Sequence, residues 1–309
     1  MGAALQDQVA NPFYGLISSG TLAAPTVARG QLLRPFPQYT GVAIDENTNR
    51  NSTYHSLQAK VEKRLRGGGT ILASYTVAKL ISDTDTLTGW LETASGTQWG
   101  DANSNNIRYE RSLTAYDVPQ RFVLSYVLDL PLGKGQKFAK DKGGVGGKLI
   151  SGWGINGITT LQSGFPLGLG ADNLSNSFGG SSRPVSTGKS GKLTGSATGR
   201  LNEWFDTSAY TPPVPFTFGN LSRTLPDVRT QGINNWDIAI FKNTKFGPEE
   251  RFGIQFRTEF FNTFNRTQFG YPNTSCCRPD QGGSNNSFGV VSSTANLPRL
   301  VQFALRFTF

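Results

Sequence analysis

The side chains best equipped for chemistry are few, and they do not converge. The single histidine, His55, cannot by itself build a His-based triad or a histidine metal cluster. The two cysteines, Cys276 and Cys277, are adjacent. They could form a vicinal disulfide, contact a metal, or stand as two loop thiols. Neighbouring cysteines cannot staple distant parts of a chain, and a four-ligand zinc site needs more partners. Asp83 and Asp85 are a lone acidic pair in a polar stretch, and Ser163-Gly164 lacks the surroundings of a nucleophile elbow. The runs Gly67–Gly69 and Gly143-Gly144 lack the Gly-Lys-Ser/Thr of a phosphate loop. The residues therefore point to no enzyme, no metal and no cofactor.

A formal charge of +9 raises nucleic acid as a partner. The Lys and Arg are spread along the chain and form no single stripe, so none is expected. One local basic cluster stands out: Lys134, Lys137, Lys140, Lys142 and Lys148 in a glycine-rich stretch. On sequence alone it reads as a solvated turn.

The elements that must carry these residues are strands. Apolar residues are 37% of the chain, yet aromatics reach 11% and glycines number 37. Disordered chains are poor in aromatics. This balance suits strands that are apolar on one face and are joined by polar loops. No stretch is long and apolar enough for a membrane-spanning helix, which leaves a β-barrel open.

The clearest strand is the last. Val301, Phe303, Leu305, Phe307 and Phe309 alternate with Gln302, Ala304, Arg306 and Thr308, giving one apolar and one polar face. Upstream, Phe252, Ile254, Phe256, Thr258 and Phe260 alternate with Gln255, Arg257 and Glu259. Trp236, Ile238 and Ile240 do the same, with Phe246-Gly-Pro-Glu-Glu250 as the intervening turn. A second hairpin sets His55, Leu57, Ala59 and Val61 against Ile71, Ala73, Tyr75 and Val77 across Arg66–Gly69. A third pairs Phe122–Leu128 with a less regular partner over 152–163.

That makes about seven strands joined by alternately short and long connections, the long ones near 81–119, 164–233 and 263–298. Structureless loops of that length are uncommon in compact soluble domains, and outer-membrane barrels carry them on one side. The expected fold is all-β, an antiparallel transmembrane β-barrel that is only partial, with long extracellular loops. Residues 1–51 read as an external loop segment and 52–309 as the barrel portion. An odd strand count and the absence of a signal peptide at Met1–Asp7 both lead us to expect a truncated chain. An incomplete, curved wall should result.

Several stretches, in order, resemble TonB-dependent outer-membrane receptors of the Oar-like branch. They include Leu32-Leu-Arg-Pro-Phe-Pro37, Tyr54-His-Ser-Leu-Gln58, Ser74-Tyr-Thr-Val-Ala-Lys79 and Tyr116-Asp-Val-Pro-Gln-Arg121. Further matches are Leu130-Pro-Leu-Gly-Lys134, Gly152-Trp-Gly-Ile-Asn-Gly157, Gln162-Ser-Gly-Phe-Pro166, Trp204-Phe205 and Phe256-Arg-Thr-Glu-Phe-Phe-Asn-Thr-Phe-Asn265. The resemblance implies a barrel of about 22 strands with an N-terminal plug, in the bacterial outer membrane. It implies uptake of a scarce ligand, energised by TonB through an N-terminal part that this chain lacks. It also implies insertion by the outer-membrane assembly machinery. That machinery would read the final strand, with Phe303, Leu305, Phe307 and Phe309 as the assembly signal.

On this reading, outer-membrane lipid is a partner, and Lys60, Glu62, Asp237, Arg257, Glu259 and Arg306 face the lumen. A charge on the lipid face would be costly. No particular ligand follows from the sequence. The alternative is a soluble or secreted β-sandwich adhesin, whose exposed Trp90, Trp99 and Trp204 would stack on sugars.

Overall fold

The computed structural model describes residues 2–41, 50–84, 107–133, 136–140, 144–172, 182–276 and 287–309. Its main element is one antiparallel sheet whose strands lie side by side in chain order. They are β1 (Ser52–Arg64), β2 (Gly69–Ser82), β3 (Gln120–Asp129) and β4 (Trp153–Gln162). They continue with β5 (Ile233–Phe246), β6 (Phe252–Phe261) and β7 (Leu300–Thr308). The short strand Ser112–Leu113 adds to the end of β2. The wall is open: among the described residues, β1 and β7 each have a neighbour on one side only. The seven alternating segments and the incomplete wall are as the sequence implied.

The register brings the alternating sets onto one continuous face. Val77 stands opposite Leu57, Tyr126 opposite Ile71, Leu128 opposite Ile155 and Ile240 opposite Ile155. Phe260 then pairs with Ile238 and Val301 with Phe260. A slip of one residue at any strand would send its whole apolar set to the polar face. Among the described residues no second sheet covers this apolar face: Leu57 is 73% exposed, Phe303 68% and Phe307 61%. A soluble sandwich would have laid a second sheet over it.

The irregular alternation of β4 has a physical cause. Gly157 lies beneath the Tyr126 ring of β3, where a Cβ would sit 2.6 Å from the phenol oxygen. Gly154 lies beneath the Phe241 ring of β5, on the other face, where a Cβ would be 2.2 Å from the ring. Each glycine lets a neighbouring aromatic ring cover its backbone, so the side-chain pattern fades where the packing is tight.

The short connections are tight. In the β1–β2 turn Gly69 has φ +116°, and a Cβ there would meet Val127 O at 2.4 Å. The β5–β6 turn closes over Pro248–Glu250. The β3–β4 connection was read as a plain turn, but it contains a short helix, α1 (Gly144–Ile150).

The long connections differ from the sequence reading. They were expected to be structureless; instead the described parts of all three fold together into a cap at one end of the wall. Its hydrophobic core includes Leu167, Leu169, Trp204, Phe205, Tyr210, Leu225, Val228, Cys276 and Val291. The Phe205 ring meets Tyr210 and Phe288 edge-on, with centroids 5.9 and 5.1 Å away. Burial holds the Tyr210 phenol proton on above the ordinary tyrosine range, and the carboxylates of Asp227 and Asp206 add to this. The apolar residues lie at irregular spacing among Gly, Ser and Pro, so no periodicity announces them.

Residues 2–41 carry a small ladder in which Gln8–Ala10 pairs with Thr26–Ala28. The Asn11 amide donates to Leu22 O and Ala24 O beneath it. Gly2 touches the cap, where a Cβ would sit 2.5 Å from the Phe216 ring.

Candidate functional site

Two parts of the molecule could meet a ligand: the polar face of the wall and the underside of the cap. Lys60, Glu62, Asp237, Arg257, Glu259 and Arg306 all stand on the polar face, by the register that aligns the apolar one. The fold brings three of them together. Asp237, Arg257 and Glu259 line a pocket of about 270 Å³ with Ser125, Asn156 and Ile158. Arg257 pairs with Glu259 at 2.7 Å, while its Nε is buried without a hydrogen-bond partner. The Asn156 side-chain oxygen is likewise buried and unpartnered.

The other three are placed apart. Lys60 and Glu62 lie on the edge strand β1, where Glu62 approaches Arg64 at 4.0 Å. Arg306 lies lower on β7, lining a hollow with Asn243, Gln255 and Thr308. Phe303, Leu305, Phe307 and Phe309, expected from the resemblance to signal assembly, lie along the last strand or just past its end and are exposed.

Above the first pocket, and sharing Asp237 and Phe261 with it, is a larger one of about 600 Å³ beneath the cap. Its walls are Phe165, Phe269, Tyr271 and Leu297, with Gln231, Asn235, Gln268 and Asn296 between them. Many of these amides already hold the loops in place. Gln231 donates to Thr267 O and accepts from Phe269 N, and Asn296 accepts from Gln268 N. Asp237 accepts from Asn262 N at 2.8 Å and Asn235 Nδ2 at 3.0 Å. It therefore anchors the start of the β6–β7 connection as well as lining both pockets.

The cap is locked by buried and partly buried arginines whose partners lie far away in sequence. Arg183 and Glu110 form an ion pair with both side chains fully buried. Arg223 donates to Ser82 O at 2.6 Å and Glu110 O at 3.2 Å. Arg229 bridges Asp117 at 2.6 Å and donates to Gly164 O at 3.1 Å. Asp117 also accepts from Leu80 N at 2.8 Å, which ties the stretch after β2 to the strand itself. The one available hint was arginine within otherwise neutral polar segments.

Trp204, an exposed sugar-stacking ring in the alternative adhesin reading, is 1% exposed, and its Nε1 donates to Arg229 O at 2.8 Å. Leucines and aromatics of the cap core close over it, so it holds structure. Asp83 is buried at the root of the first hairpin, where it accepts from Asn51 N. Cys276 is buried and disulfide-bonded, which removes the free-thiol and metal alternatives for it. Trp90, Trp99, Asp85 and Cys277 lie outside the described residues.

A bare apolar face, a polar face opposite and strands of nine to fourteen residues match a wall that crosses a bilayer. The family model of an outer membrane beta barrel domain matches residues 4–302. The chain belongs to that family. No curated protein and no solved structure matches it. As an outer membrane beta barrel domain protein it resides in the bacterial outer membrane, in the form of a β-sheet that does not close into a barrel among the described residues.

Membership makes the two faces unequal in a measurable way. Ile240→Arg, at the middle of the apolar face of β5, should cost about 2–4 kcal/mol. Gln302→Arg, opposite Glu259 on the polar face, should change stability by less than about 0.5 kcal/mol. Urea titration of both variants in phospholipid vesicles reads the difference, and equal costs would reverse or abolish the assignment of the faces.

Proposed function

We propose that the chain is the C-terminal wall of a TonB-dependent transporter of the Oar-like type, which takes up a scarce ligand across the outer membrane. The observation that carries this reading is the open wall with a folded cap at one end. A sheet with two unpaired edges is unstable in lipid and must be continued by further strands. A large barrel continued in this way encloses a lumen, into which Lys60, Glu62, Asp237, Arg257, Glu259 and Arg306 would project. The pocket beneath the cap and the Asp237–Arg257–Glu259 pocket below it would then lie in line along the path of a ligand.

TonB would act through a plug and contact segment supplied ahead of these residues, and the assembly machinery would engage the last strand. Wall and cap would hold and guide the ligand and do no covalent chemistry on it. The DNA immediately upstream tests the reading most directly. An in-frame plug domain and signal peptide are the expected finding. A stop codon there, with a signal-bearing start of a short independent gene, would overturn it.

A further inference from the structure

The basic cluster of the β3–β4 connection has no role in the reading above. Its described lysines, Lys137, Lys140 and Lys148, are all exposed. The helix that follows, α1, is fixed to the wall by two side chains from the apolar face. Trp153 Nε1 donates to Leu149 O at 3.0 Å. Lys242 Nζ donates to Lys148 O at 2.7 Å and Ser151 O at 2.6 Å. These carbonyls belong to the C-terminal end of the helix, where a cation is favoured. The Lys242 ammonium also lies 5.3 Å from the centre of the Trp153 ring.

Trp153 and Lys242 stand opposite each other on the apolar face. The helix they hold therefore lies on the lipid side of the wall, at the end with the short turns. There it turns outward Val145, 78% exposed, and Leu149, 64% exposed, close in sequence to the half-exposed Phe138. The stacked rings of Phe246 and Phe252 and the exposed Phe309 belong to the same face and the same end. Water alone gives no reason for apolar side chains to stand out among lysines. The boundary between acyl chains and headgroups does, because the apolar tips enter it while the ammonium groups meet phosphates.

We infer that α1, with residues 136–140, forms a foot that binds anionic phospholipid at the periplasmic surface of the outer membrane. Short turns of such barrels lie on the periplasmic side. The leaflet there is phospholipid, and the cationic foot complements its phosphates. The inference rests on the barrel family and is independent of transport.

Native mass spectrometry of the full chain in detergent micelles provides the test, with phosphatidylglycerol or phosphatidylcholine added. The chain should retain phosphatidylglycerol preferentially. The triple variant Lys137→Gln, Lys140→Gln, Lys148→Gln should lose at least about tenfold of that retention, with phosphatidylcholine unchanged. The corresponding triple change to Arg should keep it, and Val145→Ser with Leu149→Ser should weaken it several-fold. Equal retention of the two lipids, or no loss in the Gln variant, would overturn the inference. So would full displacement by soluble polyglutamate at equal charge, since the foot would then respond to any polyanion. If the Gln triple fails to fold, Lys148→Gln compared with Lys148→Arg carries the same comparison.

Discussion

Glu110→Ala should unlock the cap while leaving the wall in place. It removes the partner of a fully buried guanidinium, and the cost of stranding such a charge is about 3–5 kcal/mol. Arg183 has little alternative, since its other described contacts are a long one, 3.5 Å to Leu221 O, and the Tyr109 ring, 5.7 Å away. The stretches around Glu110 and Arg183 belong to different connections, so both should become open to protease. The sheet, held by its own ladders, should keep its circular dichroism in micelles. Replacing both partners, Glu110→Leu with Arg183→Met, should recover most of the loss, because it is the unpaired charge that is costly. If Glu110→Ala were cleaved no faster than the parent, the pair would not be what holds the cap.

Trp204→Ala should do comparable damage by a different route. The indole is buried in the cap core, donates to Arg229 O and has the Arg200 guanidinium 4.6 Å from its ring centre. Removing a large buried aromatic costs about 3–5 kcal/mol, chiefly through the cavity it leaves. The freed Arg229 carbonyl adds to this, and Arg229 is the residue that bridges to Asp117. Trp204→Phe should retain most of the packing and lose the hydrogen bond, at about 1–2 kcal/mol. Guanidinium titration read by near-ultraviolet dichroism separates the two. Were Trp204 the exposed sugar platform of the alternative adhesin reading, both variants would unfold at the parental midpoint.

The wall was legible in the sequence because its physics is local. The alternation of Val301 to Phe309 or of His55 to Val61 is a statement about one strand, and the register between strands follows from matching apolar faces. Turn chemistry gave the hairpins, as at Gly68 and Gly69, both with positive φ. β4 was less legible because Gly154 and Gly157 give up their side-chain positions to rings from neighbouring strands.

The cap was not legible, for an opposite reason. Its core joins Leu167, Trp204, Leu225 and Val291 from two connections, with no period within either. Its ion pairs join residues far apart in sequence, and nothing near Arg183 marks Glu110 as its partner. Of the polar-face residues, alternation assigned the side but not the neighbours. That Asp237, Arg257 and Glu259 share a pocket while Lys60 stands on the far edge is a matter of strand order.

The distances along the chain that the cap spans also set the order in which the molecule can be built. Tyr109 donates to Gly219 O, and Arg223 donates to Ser82 O, across 110 and 141 residues. The loop-closure entropy of such contacts is lost before they return anything, unless intervening structure has already shortened the path. Here β3 and β4 do so, by pairing with each other and delivering the two connections to the same end of the wall. The cap should therefore form late, closing after the strands beneath it are in register. A slipped or missing strand would leave Glu110 and Arg183 unmatched, so the finished cap reports a correctly ordered wall.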